Sequence, residues 1–90
     1  MSVARVTEIT ADSTNSFKSE IERAKYVFRV KEEPGEAIFI LPEPLHESLK
    51  VAGNGFLQFD LTPGTTFTQA EEIAHFLNEN IATIAYTKFL

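Results

Sequence analysis

The feature that most constrains the fold is one amphipathic pattern in the last third of the chain. Apolar side chains recur there at helical spacing, at Ala70, Ile73, Ala74, Leu77 and Ile81. A stripe of this kind predicts a helix that buries one face against a sheet. Two capping boxes fit the start of the helix, Thr66 with Gln69 and Thr68 with Glu71, so its first residue stays open between them.

Strand patterns flank this helix on both sides. Residues 56–61 alternate between apolar and polar side chains, and residues 81–89 are rich in β-branched and aromatic types. A proline–glycine turn at residues 62–65 separates the first of these strands from the helix. Asn78 and Asn80 are candidates for a left-handed residue that ends the helix. This part of the chain therefore predicts a strand–helix–strand unit.

A second strand–helix–strand unit is predicted near the start of the chain. Residues 3–9 are a strand candidate, and Ser16 can cap a following helix that ends near Lys25. Apolar side chains after that cap recur at helical spacing, at Phe17, Ile21, Ala24 and Phe28. Residues 26–31 alternate as a strand does, so Phe28 fits both elements, and we favour the strand.

The middle of the chain reads as turns and short strands. Residues 32–36 contain proline followed by glycine, which is typical of a type II turn. The apolar run at residues 37–41 is typical of a strand covered on both faces, and the prolines at 42 and 44 are expected to end it. An Asn-Gly pair predicts a hairpin within residues 48–56. Residues 45–52 fit either a strand or a helical turn.

Together these elements predict a single α+β domain over residues 1–90, in the order β-α-β-β-β-α-β. We expect a two-layer sandwich, with two helices packed on one face of a largely antiparallel sheet of four to six strands. A ferredoxin-like variant is the nearest standard description.

Composition narrows the classes of function. The chain has no cysteine, which excludes disulfides and thiolate sites, and its net charge is −5. Residues 1–31 carry six basic and four acidic side chains, whereas residues 32–90 carry two basic and nine acidic ones. An acidic surface of this extent argues against nucleic acid or an anionic membrane as partner. With no long apolar segment and no signal-peptide pattern, we expect a cytoplasmic protein.

Two histidines are the candidates for chemistry. His46 lies between Glu43 and Glu47, and a histidine beside carboxylates can act as a general base. No nucleophile, oxyanion hole or glycine-rich phosphate loop accompanies it, so we assign no catalytic residue. His75 follows Glu72 at i+3, which is half of a di-metal motif, but the chain predicts only one further helix to supply ligands. We therefore expect a solvated helix face at His75.

A hard cation is the remaining metal candidate. Glu32, Glu33 and Glu36 surround the predicted turn and carry the oxygen ligands such an ion prefers. Three acids around a turn are more often solvated, so we expect neither a metal nor a cofactor.

One family resemblance concerns the start of the chain. Residues 2–10, 13–17 and 21–24 together resemble the first strand and the helix start of dodecins, small oligomers that store flavin. The resemblance covers about a quarter of the chain, and it implies a helix after the first strand. Further on, the chain lacks a tryptophan to stack on a flavin, and a helix at residues 68–80 has no place in that fold. No binding residue is carried over.

Apolar surface predicts association. On the helical wheel Phe76 lies outside the buried stripe, on a flank shared with Gln69, Ile73 and Asn80. In the strand at residues 37–41 both faces are apolar, with Ile38 and Ile40 on one and Phe39 on the other. Two helices cover one face of a sheet only. We therefore expect a homo-oligomer, most simply a dimer.

These features together favour a non-catalytic domain that acts by self-association or by binding a protein partner. The alternative is a small-ligand-binding protein with an aromatic-lined pocket, and the third reading is a small enzyme that uses His46 with Glu43 or Glu47. The residues alone name no ligand, partner or pathway.

Overall fold

A computed structural model describes residues 5–11 and 18–89, with side chains from residue 19 onwards. This described part contains six strands, one α-helix and a single 3₁₀ turn. Their bounds are β1 Arg5–Ala11, β2 Lys18–Ala24, β3 Tyr26–Lys31, β4 Phe39–Pro44, the 3₁₀ turn Lys50–Ala52, β5 Phe59–Asp60, α1 Phe67–Asn80 and β6 Ile84–Phe89.

The strands form two three-stranded antiparallel sheets. The first sheet has the order β1-β2-β6 and the second has the order β3-β4-β5. Only Lys25 separates β2 from β3, so one nearly continuous stretch of chain passes from the first sheet into the second. At this corner the Leu45 N–H donates to the Lys25 carbonyl at 3.0 Å. The predicted α+β class is confirmed, whereas the predicted arrangement of two helices on a single sheet is wrong.

The predicted first helix is instead the strand β2. Its residues pair with β6 from Ser19–Phe89 to Ala24–Ile84, and its other edge pairs with β1. Hydrogen bonds to β1 and β6 satisfy the backbone N–H and C=O groups of β2 from both sides. In a helix these groups would bond to one another instead. The strand is hard to recognise because Glu22, a carboxylate, occupies one of its buried positions beside Ala24. The proposed cap Ser16 and Phe17 lie outside the described residues.

The helix α1 packs on the second sheet. Its capping box uses Thr66 and Gln69, so the first of the two alternatives is confirmed. Ala70 and Ala74 are buried and Leu77 is half-buried against β3 and β4, whereas Ile73 and Ile81 of the predicted stripe are exposed. The helix continues through Asn80 and ends at Ile81 in an extended conformation.

The asparagines near the end of α1 do not end it, so that prediction is wrong. Asn78 lies inside the helix, and its side chain bonds the backbone of β3. The side-chain amide of Asn80 donates to the Phe76 carbonyl, one turn earlier, at 2.8 Å. Their amides are therefore engaged with backbone groups while both residues remain within the helix bounds.

The predicted proline–glycine turns are confirmed. Gly35 has φ +80°, and the Glu36 N–H donates to the Glu33 carbonyl at 3.1 Å. Gly64 has φ +95°, and the turn it belongs to closes by a Thr65 N–H bond to the Thr62 carbonyl, also at 3.1 Å. Both glycines supply the positive φ that the third position of a type II turn requires.

The middle of the chain departs from the prediction in two ways. β4 does not end at Pro42 but continues to Pro44. In the pairing with β3, Pro42 opposes Phe28 and Pro44 opposes Tyr26. These are positions where the strand ladder requires no backbone N–H from the proline. The hairpin around residues 48–56 is wrong. The 3₁₀ turn occupies part of that stretch, and β5 is only two residues long.

In the described part of the chain, buried side chains form two clusters. One lies between α1 and the second sheet and is centred on Phe28, Ile40 and Ala74. The other lies at the corner between the sheets and is centred on Ala24 and Leu49. Ile84 of β6 packs against both clusters, so the first sheet is joined to the helical layer through it.

Candidate functional site

Glu43 lies on β4 and is bound by two cations from the neighbouring strand β3. Arg29 Nε is 2.7 Å from one carboxylate oxygen of Glu43, and Lys31 Nζ is 2.9 Å from the other. Alternation along β3 places Arg29 and Lys31 on the same face of the second sheet. The hydrogen bond from Lys31, and the positive charges of Lys31 and Arg29, hold the pKa of Glu43 below its ordinary value.

Arg29 and Lys31 bind the Glu43 carboxylate, and the histidine candidate His46 lies a few residues further along the chain. One carboxylate oxygen of Glu43 contacts Arg29 and the other contacts Lys31. His46 and Glu47 are exposed beyond the end of β4.

The other histidine and the acids of the first turn are also exposed. His75 Nε2 lies 3.4 Å from a Glu79 oxygen, one helical turn further on, rather than against Glu72. Glu32, Glu33 and Glu36 surround the turn with exposed side chains. Among the described side chains no group of three or more His, Asp or Glu is arranged to hold a metal ion.

No helix in the described residues is long and apolar enough to cross a membrane.

The four residues proposed for an interface have different environments. Phe76 is 63% exposed, in a shallow depression of the α1 surface that also contains Gln69, Glu72 and Ile73. Phe39 and Ile40 are buried within the chain, and Ile38 is half-buried. We define the helix flank as Gln69, Ile73, Phe76 and Asn80; of the four interface candidates, only Phe76 is exposed.

The face of the second sheet that points away from α1 carries charged as well as apolar side chains. Register pairs Lys31 with Phe39 and Arg29 with Leu41, and directly opposed residues share a face. The ion pairs with Glu43 therefore lie on the same face as the apolar residues Phe39 and Leu41. A partner that covered this face would have to desolvate three charged groups.

A cleft at the corner between the two sheets has no charged side chain among the described residues that line it. It has a volume of about 390 Å³ and lies between the start of β3, the end of β4, the loop that follows it, and β6. We call it the junction cleft; it is lined principally by Tyr26, Pro44, Leu49, Phe56, Ile84 and Tyr86. These residues come from distant parts of the chain, so periodicity could not reveal that they meet.

Two polar contacts hold the loop that forms one wall of the junction cleft. The Leu49 N–H donates to the Tyr26 hydroxyl oxygen at 2.8 Å. The Lys50 N–H donates to both carboxylate oxygens of Glu22 at 3.1 Å, which gives this buried acid a partner. Because both acceptors are on β2 and β3, the 3₁₀ turn is fixed against the sheets.

Comparison with known proteins adds no relative: no family model, curated protein or solved structure matches this chain. The fold defines a small α+β protein of two antiparallel sheets and one helix.

Proposed function

We propose that this protein acts by self-association, as a homodimer whose interface includes the helix flank. One observation carries the proposal. Among the described residues, eleven large hydrophobic side chains are exposed, whereas seven hydrophobic residues are buried. Isolated exposed apolar residues are normal on a protein surface, but such an excess in a small chain is typical of a surface that another chain covers.

The helix flank is the part of this surface that best suits a second copy. Phe76 and Ile73 lie one turn apart on α1 and are both exposed, so they form a continuous apolar ridge. A two-fold axis would place the same ridge from each copy in contact, which is how most homodimers associate. Gln69 at the edge of the ridge supplies a polar group for the rim.

Sedimentation equilibrium at micromolar concentration tests the proposal. We expect a mass twice that of the 10.1 kDa chain, and a monomer for Phe76→Asp, because two buried carboxylates would face each other. Phe56→Asp is the matched control, since Phe56 is as exposed as Phe76 but lies in the junction cleft.

The outcomes separate the two parts of the proposal. A wild-type chain that sediments as a monomer overturns self-association. A dimer that persists in Phe76→Asp but dissociates in Phe56→Asp preserves self-association and excludes the helix flank as its interface.

A further inference from the structure

The junction cleft has the dimensions of a small-molecule site. Its volume of about 390 Å³ lies within the range of roughly 300–1,000 Å³ that is typical of ligand pockets. The volume therefore suits a compact ligand.

The chemistry of the lining restricts the ligand further. None of the described residues that line the junction cleft is charged, although charged residues make up 23% of the chain. An ionised ligand would lose its hydration there without gaining a counter-charge. Tyr26, Phe56 and Tyr86 instead present aromatic rings, and Pro42 and Pro44 of β4 add apolar surface. Such a lining complements an uncharged aromatic molecule.

Hydrogen bonds hold one wall of the junction cleft in place. The bonds from Leu49 to Tyr26 and from Lys50 to Glu22 hold one wall against the sheets, so little ordering cost remains for binding. At the open side Phe56 is 67% exposed and Tyr86 is partly exposed. A ligand would bury these rings, and this gain of apolar contact provides the driving force.

We propose that the junction cleft binds a small uncharged aromatic molecule of roughly ten to twenty non-hydrogen atoms. The hydroxyl groups of Tyr86 and Ser48, both in the lining, are the polar groups that orient it. This site is separate from the helix flank and does not depend on self-association.

Two dyes with the same ring system test the proposal. N-phenyl-1-naphthylamine is uncharged, and 8-anilino-1-naphthalenesulfonate adds a sulfonate to the same rings. Fluorescence titration of the purified chain is expected to show saturable binding of the uncharged dye and an affinity about tenfold or more weaker for the sulfonate. Equal affinity for both dyes, or no saturable binding of the uncharged one, overturns the proposal.

Substitution at Phe56 locates the bound dye. Phe56→Ala is expected to weaken binding of the uncharged dye by about tenfold, because one aromatic wall is removed. Phe76→Ala is the matched control, an equally exposed phenylalanine on the helix flank, and is expected to leave the affinity unchanged. The reverse pattern would place the dye on the helix flank and overturn the proposal.

A second pair of variants acts by filling the cleft. A Cβ at Gly55 would meet only the Ala52 carbonyl oxygen, at an ordinary contact distance of 3.5 Å, so a side chain is tolerated there. Gly55→Leu is expected to abolish binding by occupying the cleft, whereas Gly55→Ala is expected to retain most of it. Equal binding by both Gly55 variants contradicts the assignment.

Titration of Phe76→Asp with the uncharged dye separates this proposal from self-association. Dye binding by a monomeric Phe76→Asp chain shows that the cleft acts alone. If dye binding is lost together with dimerisation, the proposal is overturned.

Discussion

At the scale of single residues, the side chain of Asn78 makes hydrogen bonds to β3 of the kind that a neighbouring strand usually makes. The Phe28 N–H donates to its Oδ1 at 2.7 Å, and its Nδ2 donates to the Phe28 carbonyl at 3.0 Å. Phe28 opposes Pro42, which has no N–H, so its backbone groups point away from β4. The side chain of Asn78 therefore completes the hydrogen bonding of β3 at its outer edge.

Asn78→Ala is expected to lower the free energy of unfolding by about 1–2 kcal/mol, since two part-buried backbone groups lose their partner. Urea unfolding measures the change. Asn80→Ala is the control, because the Asn80 amide bonds only an exposed helix carbonyl, and we expect a loss below about 0.5 kcal/mol there. Equal losses in the two variants would contradict the role given to Asn78.

Glu43 makes stability depend on acid pH. Lys31 and Arg29 lower its pKa in the folded chain from an ordinary value of 4.5, so folding favours the ionised carboxyl. This contribution is complete above about pH 4.5 and is lost as the pH falls through the lower folded pKa. Because Glu43 is 35% exposed, the contribution is small, about 0.5 kcal/mol or less.

Glu43→Gln is therefore expected to flatten the stability profile between about pH 5 and about pH 2. Urea midpoints across this range measure the effect. Glu47→Gln changes an exposed neighbour and is expected to leave the profile as it is. A profile that is identical in the wild-type chain and Glu43→Gln would mean that the ion pairs contribute nothing to folding.

At the scale of elements, α1 begins with two reciprocal hydrogen bonds. The Gln69 N–H donates to Thr66 Oγ1 at 3.1 Å, and the Thr66 N–H donates to Gln69 Oε1 at 3.0 Å. The preceding turn, closed by Thr65 and Thr62, directs the chain into this cap. The start of the helix is consequently determined by four neighbouring residues and the turn before them.

Thr66→Ala is expected to lower stability by about 1 kcal/mol, because the first turn of α1 loses its side-chain acceptor. Thr68→Ala is the control, since Thr68 lies inside the first turn and is exposed. Thermal unfolding compares the two. A larger loss for Thr68→Ala would show that the helix begins at the other capping box.

At the scale of the whole molecule, the chain is extended for its length. Its radius of gyration is 15.8 Å, whereas a compact chain of this length is expected near about 12 Å. The helix packs mainly on β3, and five of the six residues of β6 are exposed. An elongated chain has a high ratio of surface to buried volume, which is the physical reason that association would stabilise it.

Unequal burial is expected to produce unequal protection from hydrogen exchange. Backbone amides of β3 and β4 lie around Phe28 and Ile40 under α1, so they should exchange more slowly than those of β6 at the edge of the first sheet. Exchange measured by NMR at low protein concentration tests this. Uniform protection across both sheets would mean that the molecule opens only as a single unit.

Local patterns determined the parts of this protein that depend on neighbours in the chain. The Pro34–Gly35 turn follows from the φ angles that these two residues prefer, and the Thr66 cap follows from hydrogen bonds within three residues. The strand predicted over residues 26–31 is confirmed. It could be predicted locally because apolar and polar side chains alternate along it in the sequence.

Only the tertiary structure decided the rest. The spacing of Ile21 and Ala24 fits a helix, but β1 pairs with one edge of β2 and β6 with the other. The β6 residues lie sixty to seventy positions further along the chain than their partners in β2. The junction cleft likewise depends on contacts such as that of Tyr26 with Leu49, 23 residues apart. Strand pairing and cleft formation depend on contacts between distant segments of the chain. The free energy of these contacts is not encoded in the periodicity of any single segment.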